Sequence, residues 1–192
     1  MDITFSRLTP ELVDDFLDFF DHDAFPESDE WANCYCLEGH LKGEKDITDP
    51  ALRREHAKRL VLEGKLTGYL LRDSDNIGSR TIGWVKAGDK RDFVDPYDMR
   101  GLFSGRRRYG EVKVLYCIDL VPEYQGKGIA KQAVEQVISD AKTEGYSYVE
   151  VYPAADRSER RNYRGHAGMY ENLGFEIARD KGWYLVMRKR IV

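Results

Sequence analysis

The sequence predicts an α/β (α+β) fold, a mixed and largely antiparallel sheet flanked by helices. Three observations carry that prediction. Segments rich in β-branched and aromatic residues, such as Val112 to Leu120 (VKVLYCIDL), alternate with segments whose apolar residues recur at three- and four-residue spacing. Gly68 to Arg72 and Thr81 to Ala87 read as two strands separated only by the polar turn Asp73 to Gly78, an antiparallel hairpin. Val112 to Leu120 is followed by an amphipathic helix and then by the strand-like Ser147 to Tyr152. A connection of that kind makes the two strands parallel neighbours with a right-handed crossover.

Element by element, Ile3 to Leu8 reads as a first strand, and Thr9-Pro10 starts a helix with Thr at the N-cap and Pro at the first helical position. Leu12, Val13, Phe16, Leu17 and Phe20 mark the buried face of that helix. Residues 22–48 show no period and contain Pro26, Trp31 and Cys34-Tyr35-Cys36, so they form a long loop of the kind that often carries function. Asp49-Pro50 repeats the cap-and-proline signature for a second helix that runs to Glu63 and stops at Gly64. Residues 88–110 are polar and rich in turn formers. The end of the chain offers a helix near Tyr163 to Leu173 and strands near Phe175 to Arg179 and Trp183 to Lys189. No linker rich in Pro, Gly or Ser divides the 192 residues, so residues 1–192 are read as one domain.

The most informative stretch is Val121-Pro122-Glu123-Tyr124-Gln125-Gly126-Lys127-Gly128-Ile129-Ala130, which joins the Val112 to Leu120 strand to the amphipathic helix. Ile129, Ala130, Ala133, Val134, Val137, Ile138 and Ala141 line one face of that helix, and Gly145 follows it as a C-terminal glycine. Gly126 and Gly128 leave the turn without side-chain bulk, so a ligand can reach the unpaired N–H groups of the first helical turn. Those donors and the positive end of the helix dipole suit a pyrophosphate.

Gln125-x-x-Gly128-x-Ala130 after a strand and Pro122 resembles the acyl-CoA loop of the GNAT superfamily of N-acyltransferases, whose pattern is Gln or Arg, two residues, Gly, one residue, then Gly or Ala. Tyr170-Glu171-Asn172-Leu173-Gly174-Phe175 resembles the family's Tyr-x-x-x-Gly-Phe ending of the last helix before a closing hairpin. The resemblance covers residues 111–192 through motifs and residues 1–110 only through the order of elements. It implies a GNAT-like fold, acetyl-CoA as co-substrate, and an amine acceptor that is a small molecule or a protein. It also implies pantetheine contacts to the backbone at Leu120 and Val121. Pyrophosphate contacts would come from the N–H groups of Gln125, Gly126, Lys127, Gly128, Ile129 and Ala130. One departure is that the family's Asn seven residues before the tyrosine is here Tyr163, with Asn162 one place off.

Amine attack on a thioester sets the chemistry expected of the remaining residues. An alkyl amine with a pKa near ~10.4 is free base in only about one part in 10³ at pH 7, so a proton must be removed, and the leaving sulfur must gain one. Tyr170 matches the family's proton donor to the sulfur; a plainer reading packs it beside Leu173 and Phe175. Glu150 alternates with Val149 and Val151 and points away from their apolar face, as a general base or as a solvent-facing glutamate. Asp119 is a charge among apolar strand neighbours, a base with a perturbed pKa or a strand-end partner of Lys or Arg. His166 stands one helical turn before Tyr170 and would share its face, to bind substrate or relay a proton. Cys117 lies on the same strand as a neighbour of the thioester or as an inert buried thiol.

The long loop offers two further readings. Trp31, Tyr35 and Cys36 can cover the acceptor pocket, or Cys34, Cys36 and His40, with His22, can supply metal ligands. The Cys34-x-Cys36 spacing is wrong for a zinc knuckle, so no metal is assigned.

Composition sets the outer bounds. Hydrophobic residues make up 42% and charged residues 33% of the chain, and no run approaches the ~18 apolar residues of a membrane span, so no membrane partner is expected. The opening MDITFSRLTPELVDDF lacks the basic and apolar regions of a secretory signal, and three cysteines fit a reducing cytoplasm. A net charge of −4 argues against nucleic acid. Acidic residues crowd residues 11–30, including Asp14, Asp15, Asp18, Asp21, Asp23, Glu27, Asp29 and Glu30, as a solvated face or as an attractor for a cationic amine. Arg106-Arg107-Arg108 can meet CoA phosphates or water. The leading expectation is a cytoplasmic acetyltransferase acting in a ternary complex, with a homodimer as the commonest form of self-assembly. Its alternatives are a non-catalytic acyl-CoA-binding or sensing module and a metal-dependent interaction domain.

Overall fold

The chain builds β1 (Ile3–Arg7), α1 (Val13–His22), α2 (Pro50–Leu62), β2 (Gly68–Asp73), β3 (Thr81–Asp89) and β4 (Val112–Leu120). It continues with α3 (Ile129–Thr143), β5 (Tyr148–Val151), α4 (Ala167–Asn172), β6 (Glu176–Asp180) and β7 (Leu185–Arg190). This computed structural model describes residues 2–26, 31–38, 47–75, 80–93, 111–156 and 163–192. His40, Arg106 to Arg108, Glu27, Asp29, Glu30, Asn162 and the hairpin-turn residues Asn76 to Gly78 lie outside the described residues.

The seven strands form one sheet in the order β1-β2-β3-β4-β5-β7-β6. Every neighbouring pair is antiparallel except β4 and β5, which are parallel as the intervening helix requires. The local signals hold at most boundaries. Asp49 caps α2 by accepting a hydrogen bond from the Leu52 N–H at 3.0 Å, and Pro50 follows it. At α1 the turn begins as a short 3-10 segment from Pro10 to Leu12, and Thr9 makes no side-chain cap.

Helices cover both faces. Trp84 of β3 meets Phe16 and Phe20 of α1 with ring centroids 5.0 and 6.5 Å away, which places α1 on Trp84's face. Tyr69 and Val85 are cross-strand partners on the other face, and the Tyr69 hydroxyl donates to Asp140 of α3 at 2.8 Å. The α3 face buries Ile129, Ala133, Val134, Val137, Ile138 and Ala141, matching the sequence periodicity apart from Ala130. A smaller cluster of Phe93, Val114, Tyr116, Tyr152, Tyr184 and Val186 sits on the face opposite α3, where β4, β5 and β7 meet.

β4 carries one irregularity. Lys86 pairs with Cys117 and Ala87 with Leu115, so Tyr116 is an extra residue, a bulge. Beyond it the alternation is shifted. Leu115 and Ile118 both join the main core, while Cys117 and Asp119 turn toward the α1 face with their partners Lys86 and Trp84.

The acidic stretch before the long loop is paired rather than simply solvated. Asp21 accepts from Arg54 at 2.9 Å and from the Tyr35 hydroxyl at 2.7 Å, Asp15 pairs with Arg72 at 2.9 Å, and Asp23 with Arg80 at 3.0 Å. These contacts tie α1 to α2, β2 and the start of β3. Among the described residues no helix is long and apolar enough to cross a membrane.

The end of β4 lies close against β3. A Cβ on Gly83 would sit 2.6 Å from Leu120 Cδ2 and 2.7 Å from the Asp119 carbonyl oxygen. Gly83→Ala is therefore expected to destabilise the protein by about 1–3 kcal/mol in urea unfolding, through overpacking that pushes β4 outward.

Candidate active site

The parallel ladder between β4 and β5 stops at Leu115 and Val151, and beyond it the edge of β4 toward β5 is open apart from the Ile118 N–H, which donates to the Tyr163 carbonyl. On its other edge, the Val121 N–H donates to the Ile82 carbonyl at 3.0 Å. Antiparallel alternation then turns the N–H and carbonyl groups of Leu120 and Ile118 toward the β5 side. Leu120 and Val121 were both expected to offer backbone groups to pantetheine. Both backbone groups of Val121 have partners within the fold, since its carbonyl accepts from the Tyr124 N–H at 2.9 Å. Gln125 folds back so that its Nε2 donates to the Leu120 carbonyl at 2.8 Å, closing the strand end.

The open edge runs directly into the glycine turn. Gly126 and Gly128 have φ of 71° and 81°, in the left-handed region, and a Cβ built on either meets nothing within 4 Å. Glycine is required here by the backbone conformation, and the space beside it is empty. Gly128 is the N-cap residue of α3 with no side-chain cap, and the first intrahelical bond is from the Gln132 N–H to the Gly128 carbonyl at 3.2 Å. The N–H groups before Gln132 in that turn point out of the helix end, and no acidic residue lies in its first turn. Lys127 reaches over the Tyr124 ring at 5.1 Å, keeping a cation beside the turn. This donor set fits a diphosphate, and the adjoining strand edge fits an amide-bearing arm.

Tyr170 of α4 is fully buried, 5.4 Å from the Phe175 ring, and its hydroxyl donates to the Arg164 carbonyl at 2.7 Å. Burial first, and then the nearby Cys117, push its pKa up, so it stays protonated across the physiological range. The helix expected near Tyr163 to Leu173 begins only at Ala167. Gly165, with φ of 76°, interrupts it, and His166 becomes an exposed N-cap residue instead of sharing a helix face with Tyr170.

The two carboxylates meet opposite fates. Glu150 was expected to face solvent or act as a base, but it is 0% exposed. Its carboxylate accepts from Lys90 at 2.6 Å, from Arg188 Nε at 2.9 Å and from the Tyr152 hydroxyl at 2.6 Å. Two cations and a hydroxyl thus enclose the Glu150 carboxyl group.

Asp119 is 1% exposed, and neither carboxylate oxygen has a hydrogen-bond partner among the described residues. The adjacent Leu120 N–H lies near it but outside hydrogen-bond geometry. Burial, reinforced by Cys36, raises its pKa well above the ordinary carboxylate value.

Sequence reasoning missed the group that organises this face. Lys86 is completely buried, and its Nζ donates to the Cys36 carbonyl at 2.6 Å and also to the Glu38 carbonyl. It thereby fixes the long loop against β3, beneath the rings of Phe93 and Tyr116 at 5.4 and 5.2 Å. Burial alone would raise the Cys36 thiol, but the Cys117 thiol and the Lys86 ammonium bring it down to about 7. Tyr35 and Cys36 adopt φ of 43° and 48° at this anchor. Among the described residues no group of three or more His, Cys, Asp or Glu is placed to hold a metal ion, and His22 is occupied with Asp18 at 3.1 Å.

The sequence matches the model of the acetyltransferase (GNAT) family over residues 7–175. The chain belongs to the GNAT acetyltransferase family. No curated protein matches it. Its fold is similar to that of the PaiA N-acetyltransferase of Thermoplasma acidophilum in complex with coenzyme A, at 17% identity and a TM-score of 0.56, covering 99% of each chain. Mutant forms of the spermidine/spermine N-acetyltransferase SpeG of Vibrio cholerae give 12% identity and a TM-score of 0.59, covering 98% of this GNAT chain and 94% of that one. An N-acetyltransferase of Staphylococcus aureus gives 13% identity and a TM-score of 0.56 over 100% of both chains. At these identities the likeness is one of fold.

The buried Asp119 sets a pH signature for this GNAT protein. Its folded pKa lies above the unfolded value of about 3.9, so the unfolded state gives up its proton first and stability falls as pH rises between the two values. Asp119→Asn removes that penalty. Calorimetry should show the variant melting above wild type near neutral pH and level with it below about pH 4. Parallel curves at all pH values would mean that the carboxyl is already compensated.

Proposed function

We propose that residues 1–192 form one cytoplasmic N-acetyltransferase domain that moves the acetyl group of acetyl-CoA to a primary amine by direct attack in a ternary complex. Membership of the acetyltransferase family makes acetyl-CoA the acyl donor. The observation that carries the reading is the continuity of one donor surface. The edge of β4 that β5 leaves at Leu120 leads into the Gly126 and Gly128 turn and the N-terminus of α3. The diphosphate takes the N–H groups from Gly126 to Ala130, with Lys127 beside them and Gln125 shaping the entrance, and the pantetheine arm pairs with the β4 edge at Leu120.

In this reading the thioester carbonyl lies at the β4 edge, where a backbone N–H stabilises the negative charge that grows on its oxygen. Asp119 is the base. It is buried without a counter-charge, and an incoming ammonium supplies the cation that its surroundings lack. Once the amine is free its nitrogen attacks the carbonyl carbon, the C–N bond forms and the C–S bond breaks. Tyr170 delivers a proton to the departing sulfur and is reprotonated afterwards. The ammonium loses two protons overall, one ending on the CoA thiol and one in solvent. The acceptor is an amine carried by a small molecule or by a protein.

Two outcomes test this. Acetyl-CoA at about 100 times Kd should add roughly 2.7 kcal/mol, raising the melting temperature of the wild type by about 5–11 °C. Gly128→Asp, which puts bulk and negative charge into the cradle, should abolish that shift, and a shift that survives would place the donor elsewhere. Tyr170→Phe should lower turnover by roughly 10²-fold with acetyl-CoA affinity retained. Undiminished turnover would remove Tyr170 from the reaction, and absence of turnover with any amine in the wild type would favour a sensing module.

A further inference from the structure

The open edge of β4 is already in use. The Ile118 N–H donates to the Tyr163 carbonyl at 2.6 Å, in the gap left where β4 and β5 part. Three consecutive residues are held there by different walls. The Tyr163 ring packs edge-on to Phe25 and Trp31, with centroids at 4.9 and 5.9 Å. The Arg164 guanidinium donates to Glu38 at 2.9 Å and lies over the rings of Tyr116 and Trp183 at 5.1 and 5.7 Å, while its carbonyl takes the Tyr170 hydroxyl. Gly165 has a left-handed backbone, and a Cβ there would come within 2.7 Å of that same hydroxyl.

We propose that Tyr163 to Gly165 is an internal occupant of the acyl slot, which holds the Ile118 N–H and the Tyr170 hydroxyl until the acyl arm of acetyl-CoA displaces it. The inference rests on the proposed acetyl-CoA site and adds a gate to it. A carbonyl on an N–H is what a thioester carbonyl would offer at the same place, so the segment imitates the substrate it excludes. Its departure frees two groups together: the N–H for the acyl oxygen and the hydroxyl for the sulfur. The nucleotide end of CoA meets no such obstacle, because the Gly126 and Gly128 turn is open. Affinity for the whole donor is therefore reduced by the fraction of molecules in which the slot is closed, and affinity for the nucleotide end is not.

The gate carries its own reporters, since Trp31 and Trp183 touch Tyr163 and Arg164. Stopped-flow tryptophan fluorescence and calorimetric titration should be run with acetyl-CoA and with adenosine 3′,5′-bisphosphate, which lacks the arm. Acetyl-CoA should produce an emission change whose rate saturates with concentration, and the bisphosphate should bind without that change. Gly165→Ala strains the closed backbone and crowds Tyr170, and Glu38→Gln weakens the hold on Arg164 while leaving the backbone alone. Each should raise the plateau rate and lower the acetyl-CoA Kd by about threefold or more, with the bisphosphate Kd unchanged. Should Gly165→Ala fail to fold, Glu38→Gln decides the matter. Acetyl-CoA binding at a rate linear in concentration, with Kd unmoved by the variants, overturns the gate and leaves the acetyltransferase reading standing. Failure of both ligands to bind the wild type overturns that reading, and the gate with it.

Discussion

Tyr116 has no partner across β3, so β4 uses three residues where β3 uses two, and every side chain beyond that point changes face. Had β4 stayed regular, Asp119 would share a face with Leu115 and point into the apolar layer beneath α3. The bulge instead turns Asp119 and Cys117 toward Lys86 and the long loop, and keeps Ile118 and Leu120 with Leu115 in the main core. The backbone N–H groups at Ile118 and Leu120 are aimed at the gap beside β5 in the same stroke. The position of Asp119, the orientation of the backbone donors and the opening toward β5 thus follow from one extra residue.

Among the buried charged groups on and beside this strand, Glu150, Lys86 and Asp119 meet the desolvation penalty in three different ways. Glu150 is neutralised by Lys90 and Arg188, and Lys86 is solvated by loop carbonyls and aromatic faces. Asp119 has neither kind of compensation. A carboxyl left in that condition is a standing cost to stability, and such costs concentrate where a ligand supplies what is missing. The contrast between Glu150 and Asp119, two acids on adjacent strands, lies in their neighbours alone: one is enclosed by cations and the other has no hydrogen-bond partner among the described residues.

Much of the fold was legible in sequence because its signals are local. The β4 limits, the Asp49 cap of α2, the Gly64 and Gly145 stops and the glycine turn all rest on residues within a few positions of one another, and the parallel β4–β5 pair follows from the single helix between its strands. The α4 region was misjudged for the opposite reason. Its spacing allows a helix from Tyr163, but contacts with Phe25, Trp31, Glu38 and Ile118, all distant in sequence, hold the segment in a non-helical turn until Ala167. The ion pairs of the acidic stretch were hidden in the sequence for a similar reason, since its arginine partners come from α2, β2 and the start of β3.

The sequence by itself determined the family, the parallel junction of β4 with β5 and the glycine turn before α3, because motifs, periodicity, capping and glycine placement are properties of neighbouring residues. Tertiary structure alone decided which acid is paired and which is left bare, that Lys86 anchors the loop, and that the Tyr163 carbonyl takes the Ile118 N–H where β4 and β5 part. Those outcomes depend on burial and on partners brought together across the sheet, where a one-residue shift in the register of β4 exchanges the neighbours of every group that follows it.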